Sequence, residues 1–357
     1  MKNSNTDAPD KQGRTLAKPP DRGMLTSDES AIVGAGDQRE ILQREPLWSA
    51  ALPPDAASLH AELSRQLTAI RGKKIVLLLN RGNRGDGVIH LGAQRFLKSL
   101  GLSWAEVHEE NAPASISADV LLVVAAGALC RYTHSIVGII NRYARHVEQV
   151  IILPSSFDLH CSEVRRFIGA WSDKYTVFCR ERRSFDALTR TGAAPNKLFL
   201  AHDLAFWCDV RHWAARPHAG TVGIFRRDRE TVFERRPLHF SGKDISRGPD
   251  SEPETLLDYV ARYSVIHTDR THAAITGAMM GREIWFYRNA YFKNQAIYEH
   301  SLSHLPQVHF VSKQPFSLHQ FGAAMYTHYV RRNAFRLRRK WRATRDTIVA
   351  RLAAASR

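Results

Sequence analysis

Two hydrophobic patterns alternate along the chain from Pro53 to Tyr287. A helical period (Leu59, Leu63, Leu67, Ile70) between Pro53 and Arg71 runs into Lys74–Asn80, a short continuous apolar run that reads as a strand buried on both faces. A glycine loop, Arg81–Gly87, follows, and then a helix predicted from about Val88 to Leu100 that stops at Gly101. The same unit recurs. Val120–Gly127 is a second buried strand, Ile136–Arg145 a helix, Gln149–Pro154 a third strand, Lys174–Cys179 a fourth, and Arg183–Thr191 a helix ended by Gly192. Strands alternating with helices predict a parallel sheet covered on both faces.

The stretch Phe206–Gly220 breaks this rhythm, and a second α/β unit starts at Thr221–Phe225. It continues with a helix near Pro253–Arg262, the strand Ser264–His267, a helix from Thr271 to Met280 and the strand Glu283–Tyr287. The expected architecture is therefore α/β, with two domains, 46–210 and 211–315, facing a cleft at the carboxyl ends of their strands. Residues 1–45 have no apolar period and are expected to be a disordered leader. Residues 316–357 carry apolar positions at Val330, Ala334, Leu337, Trp341, Ile348 and Leu352, which predicts a basic amphipathic helix.

Charge sharpens the picture at that end. The net charge is +16 over 357 residues, and ten basic residues face only Asp346 between Arg331 and Arg357. An anionic partner is expected, with an anionic membrane surface favoured over nucleic acid because the excess sits in one terminal helix and no nucleic-acid motif is present. The four cysteines (Cys130, Cys161, Cys179, Cys208) form no C-x-x-C pair, which argues against zinc and against a disulfide framework. His267 and His272 stand five apart with no recurring carboxylate–histidine spacing, so no required metal and no cofactor are expected. A cytoplasmic location, with peripheral attachment to the inner face of the membrane, fits these features.

The strongest cluster of chemistry is Thr268-Asp269-Arg270-Thr271-His272, where a strand ends and a helix begins. Backbone N–H groups at a helix start favour an anion, Arg270 can fork onto a phosphate or carboxylate, and His272 can exchange a proton near neutrality. Asp269 could cap the helix and orient Arg270 or His272. The pattern alone fits equally well a plain cap followed by a half-buried histidine. Arg180, the first polar residue beyond its strand, reads either as an anion clamp or as an arginine paired with Glu181 or solvated. Lys293 could bring a point charge to a phosphate. The loop 81–87 matches neither a P-loop nor a dinucleotide fingerprint, and its glycines read as allowing a tight turn.

Together these segments resemble the polysaccharide pyruvyl transferase family from about Ile75 to Tyr298. Asn83, Gly85 and Asp86 resemble its asparagine–glycine–aspartate loop, and Arg180–Ser184 its arginine-acid-x-x-serine element. Thr268–His272 resembles its threonine-aspartate-arginine-leucine-histidine signature, with Thr271 in place of leucine. Asn289–Lys293 resembles its asparagine-x-tyrosine-x-lysine element, and Ala125-Ala126-Gly127 replaces a run of glycines. The resemblance implies two Rossmann-like domains in a GT-B-like arrangement and transfer of the enolpyruvyl unit of phosphoenolpyruvate onto two hydroxyls of a sugar in a polysaccharide or its lipid-linked precursor. A pyruvate ketal forms and phosphate leaves. It implies His272 as general acid or base, with Arg180, Arg270 and Lys293 holding the donor. Asp269, Thr271 and Asn289 support them, and the loop at Asn83, Gly85 and Asp86 faces the acceptor. The alternative is a GT-B glycosyltransferase using a nucleotide sugar, which would need a ribose-binding carboxylate pair not seen near Thr268–Lys293.

Overall fold

The computed structural model describes residues 53, 55–192, 197–233 and 242–312; the leader and the basic C-terminal segment lie outside the described residues. Among the described residues ten strands form two all-parallel sheets. The first contains β1 (Ile75–Leu79), β2 (Ala105–His108), β3 (Val120–Val124), β4 (Gln149–Ser155), β5 (Tyr175–Cys179) and β6 (Leu198–Leu200), in the order β2-β1-β3-β4-β5-β6. The second contains β7 (Thr221–Ile224), β8 (Val265–Thr268), β9 (Glu283–Tyr287) and β10 (Val308–Val311), in the order β10-β9-β8-β7. The α/β class and the parallel pairing agree with the alternating pattern.

The strands β1, β3 and β5 are buried at every position, as continuous apolar runs require when helices cover both faces. The elements that the pattern does not reveal are the ones without such runs. β2 is a largely exposed edge strand of sequence AEVH, β6 has three residues, and β10 is mostly half-buried. The pattern does not announce the helix Ser162–Gly169 either, since only Val164, Phe167 and Ile168 of it are buried.

One boundary matters for function. The helix predicted from Val88 begins four residues earlier, as α1 (Arg84–Ser99). Asn83 is its N-cap and accepts a hydrogen bond from the Gly85 N–H at 2.9 Å, while Asp86 accepts from the Asn83 N–H at 2.9 Å, a reciprocal capping box. Gly85 and Gly87 therefore lie inside the helix, and the tight-turn expectation for them is corrected. Their smallness serves close approach. A Cβ on Gly87 would run into the Asp250 carbonyl oxygen, and one on Gly92 into that of Leu204.

Through these contacts α1 joins the two halves. Arg84 donates to the carbonyls of Ile245 (3.2 Å) and Arg247 (2.9 Å) and pairs with Glu252 at 2.5 Å, and the Gly82 N–H reaches Asp250 at 3.1 Å. One apolar cluster consequently runs from Leu63, Leu77 and Val88 to Leu256, Ile266 and Ile284, so both sheets share a core around α1. A second cluster covers the other face of the first sheet. Gly87→Ala is expected to destabilise the chain by about 1–3 kcal/mol or more, because a helix backbone must move away from another backbone segment. Urea unfolding of the variant beside the parent chain checks this.

Candidate active site

The carboxyl ends of β1, β3, β7, β8 and β9 open onto one cavity of about 460 Å³. Asn83, Gly85 and Asp86 line it from the start of α1, Gly127 and Tyr132 from beyond β3, Arg226, Asp228 and Glu230 from beyond β7, and Arg270, Thr271, His272 and Lys293 from beyond β8 and β9. Residues some two hundred positions apart thus meet, as the resemblance implies for its separate motifs. Asn83, Gly85 and Asp86 share the cavity with His272 rather than forming a separate loop.

His272 lies in the first turn of α2 (Thr271–Met279), whose N-cap, Arg270, makes no side-chain capping bond. Two neighbours flank the ring, whose Nε2 is buried and makes no hydrogen bond among the described residues. Nε2 stands 3.6 Å from Asp203 Oδ2, and on the other side the position of a Gly85 Cβ would be 2.9 Å from Nδ1. Asp203 sits at the end of the first sheet, after β6, and a lone aspartate in His202-Asp203-Leu204 gives pattern reading no signal. It also accepts from Arg180 Nη1 at 2.7 Å and from the Ala205 N–H at 2.8 Å. Burial alone would raise its carboxyl, but Arg180 and His272 outweigh burial and hold it well below the ordinary aspartate range.

Arg180 is 1% exposed and lies behind the cavity wall. Its partner is Asp203, with Ser156 Oγ at 2.9 Å from Nε. The pairing with Glu181 is overturned: Glu181 turns away, accepts from the Ser184 N–H at 2.8 Å and caps the helix Arg182–Arg190. Burial pushes the Glu181 carboxyl up to about 7. Arg180 lies beneath Gly127, a residue of that wall, where a Cβ would be 3.3 Å from its Nη2 and 3.5 Å from Lys293 Nζ. Gly127 thus lets two cations from different sheets approach the same wall. Its neighbour Ala126 adopts φ 49°, a left-handed conformation that glycine takes without cost and other residues rarely adopt.

Arg270 is forked onto Asp244 (2.9 and 2.6 Å) and contacts Asp228 at 3.1 Å. Lys293 donates to Glu230 at 2.7 Å; burial lowers its ammonium, with Glu230 opposing. Arg226, which no motif in the sequence singles out, bridges Asp228 (2.8 Å) and Glu230 (2.9 Å) with its side chain 7% exposed. These cations are held in place by carboxylates and still retain N–H donors, because an arginine carries five and an ammonium three. The cavity wall itself presents five cationic residues, Arg81, Arg226, Arg229, Arg270 and Lys293, against Asp86, Asp228 and Glu230, a balance that favours an anionic guest.

The supporting residues act differently from expectation. The Asp269 carboxylate does not cap α2 and bonds a different segment. It accepts from the Arg226 N–H at 2.7 Å and Thr231 Oγ1 at 3.1 Å, tying down the stretch that carries Asp228 and Glu230, and burial raises it to about 6. Thr271 explains its own departure from leucine: its hydroxyl donates to Asn294 Oδ1 at 2.8 Å, and Asn294 Nδ2 donates to the carbonyls of Asp269 (2.8 Å) and Tyr287 (2.9 Å). Asn289 Oδ1 accepts from the Asn294 N–H at 3.3 Å, completing a polar lock behind β8 and β9. His267 is structural, bonded to Tyr287 Oη at 2.9 Å and stacked on Trp285.

The sequence model of the polysaccharide pyruvyl transferases matches residues 83–290, which take in nearly all of these elements. The chain belongs to the polysaccharide pyruvyl transferase family. A search of curated proteins found no match. Among solved structures, a functionally uncharacterized protein of Klebsiella pneumoniae subsp. pneumoniae superposes with a TM-score of 0.60 at 26% identity, covering 71% of this chain and 99% of that one. The family match thus covers the Asn83 cap, the Arg180 and Asp203 pair, the His272 turn and Asn289, and it stops just before Lys293.

Proposed function

We propose that the cavity binds phosphoenolpyruvate and transfers its three-carbon unit as a ketal onto two hydroxyls of a polysaccharide sugar or its lipid-linked precursor. The observation that carries this reading is the convergence of His272 with Arg226, Arg270 and Lys293 around one cavity, with the buried Arg180 and Asp203 pair behind the histidine. The donor has a carboxylate and a phosphate on adjacent positions and needs several cations and a proton donor beside its methylene carbon.

His272 protonates carbon 3, which becomes the methyl group, and carbon 2 takes on oxocarbenium character. One sugar hydroxyl adds at carbon 2. The second displaces phosphate from the same carbon, closing the ketal. Of the two hydroxyl protons, one restores the proton that His272 gave to carbon 3 and the other leaves with phosphate. Asp203 orients the ring and offsets the positive charge of its protonated form, as a buried carboxylate does for a catalytic histidine. Arg226, Arg270 and Lys293 stabilise the departing phosphate, sharing N–H donors already held in place by Asp228, Glu230 and Asp244. The two sheets facing this cavity support the GT-B-like reading, and the +9 segment from Arg331 supports meeting a lipid-linked acceptor at an anionic membrane surface. No described helix is long and apolar enough to cross a membrane.

Thermal-shift titration decides between donors: phosphoenolpyruvate at a hundredfold excess over its Kd should stabilise the chain by about 2.7 kcal/mol. Stabilisation by a nucleotide sugar alone overturns the reading in favour of a glycosyltransferase. Lys293→Ala should weaken donor binding roughly 10- to 100-fold, the worth of one charge-assisted hydrogen bond of about 1.5–3 kcal/mol, with kcat largely kept. A fall in kcat at unchanged KM would move the proton-transfer role toward Lys293.

A further inference from the structure

Outside the cavity, three side chains of different chemistry converge on the first sheet's flank. His134 Nδ1 lies 3.8 Å from Cys161 Sγ, and Cys161 Sγ lies 3.2 Å from Glu163 Oε2. All three ligand atoms fall within 4.8 Å of one another. Around a tetrahedral zinc, thiolate sulfur at about 2.3 Å and nitrogen or oxygen at about 2.0–2.1 Å stand roughly 3.5 Å apart, so the two sulfur separations already fit, and the imidazole and carboxylate need only draw together to enclose an ion. Among the described residues no other group of three His, Cys, Asp or Glu meets this test.

We propose that His134, Cys161 and Glu163 form a binding site for one divalent, thiophilic cation of the zinc class. The inference does not depend on the donor reading, because none of the three residues lines the donor cavity. Cys161 gives up its thiol proton to solvent as the sulfur–metal bond forms, the His134 Nδ1 contact to the Cys130 carbonyl at 3.3 Å gives way as the ring proton moves to Nε2, and nothing is oxidised or reduced. Ser162 Oγ donates to Glu163 Oε2 at 2.8 Å and so fixes the carboxylate as an outer-sphere partner does. A surface pocket of about 390 Å³ that His134 and Glu163 line together with Asn141 and Arg166 leaves room for a water or a small anion as a fourth ligand. A soft thiolate and an imidazole select zinc, cobalt or copper over magnesium or calcium.

The site would act on the cleft through the backbone. Cys130 and Thr133 exchange two backbone hydrogen bonds, at 3.1 and 3.2 Å, making a tight turn directly before His134. Tyr132 and Thr133 on that turn line the donor cavity, and the Tyr132 ring packs edge-on against Tyr291 of the other half at 5.5 Å. Asp158, which holds Arg131 at 2.7 Å, accepts the Cys161 N–H through its carbonyl at 3.0 Å, so both segments already meet there. A bound cation would clamp 130–134 to 158–163 and fix this wall.

Cobalt(II) chloride added to the chelator-treated full chain reads the site directly through its thiolate charge-transfer band in the near ultraviolet. One equivalent should produce the band, and zinc should bleach it. Cys161→Ser should abolish it, while His134→Ala and Glu163→Gln should each weaken cobalt binding at least about tenfold, the usual cost of losing a group that holds a metal; Cys130→Ser should leave it unchanged. The proposal is overturned by absence of the band in the parent chain, or by its survival in Cys161→Ser. Should Cys161→Ser fail to fold, His134→Ala decides: unchanged cobalt affinity there also overturns it.

Discussion

Replacing His272 with alanine is expected to leave a folded chain whose phosphoenolpyruvate-dependent phosphate release falls by about 10²–10⁴, the usual worth of a positioned proton-transfer group. The ring is 11% exposed at its side chain and borders the cavity, so its removal enlarges an open cavity rather than leaving a sealed void in the core. Circular dichroism separates this outcome from unfolding, and single-turnover phosphate release measures the chemical step. A variant retaining more than about a tenth of parental turnover would remove His272 from the proton-transfer role, given the size of effect expected of such a group. Gly85 offers a subtler probe of the same geometry. A methyl group there would stand 2.9 Å from Nδ1 and 3.0 Å from Asn83 Oδ1, so Gly85→Ala displaces the ring without deleting it.

The largest effect on stability is expected at Arg180 and Asp203. Both are 1% exposed and 2.7 Å apart, so removing either partner strands a charge in the interior. Asp203→Ala and Arg180→Ala should each cost about 3–5 kcal/mol in denaturant unfolding. The double change Asp203→Leu with Arg180→Met should recover part of that loss, since no unpaired charge is left behind, while remaining unable to hold the donor. Single-variant losses below about 1 kcal/mol would show that the pair is not the buried charge balance inferred from its geometry. The pH dependence has a definite sign. Asp203 has a folded pKa below its unfolded value, so its contribution is present above the ordinary aspartate range and is lost as pH falls toward the lowered folded value. Asp269 has the opposite sign: raised to about 6, it disfavours the folded state progressively as pH rises from the ordinary aspartate range through that value.

Much of the scaffold is legible from its apolar pattern. β1, β3, β4 and β5 stand out as continuous apolar runs because both their faces are covered, and β7, β8 and β9 stand out as shorter apolar segments between polar turns. β2 and β10 escape because edge strands need no such run, and the true start of α1 escapes because the capping box at Asn83 and Asp86 sits inside what looks like a glycine loop.

The same division holds in the site. Local sequence determines that Arg270 and His272 stand at a strand-to-helix turn and that Arg180 follows a strand, because both depend only on neighbouring residues. Which charge meets which is decided by tertiary structure. Arg180 finds Asp203 rather than adjacent Glu181, and Asp269 bonds the segment after β7 instead of its own helix. The His134, Cys161 and Glu163 cluster was equally hidden: the spacing of twenty-seven residues between His134 and Cys161 fits no ligand motif, and only the packing of two loops brings imidazole, thiol and carboxylate together. Buried polar groups take the partners that packing brings within hydrogen-bond distance, whether these are near in sequence, as for Glu181 and Ser184, or distant, as for Arg180 and Asp203.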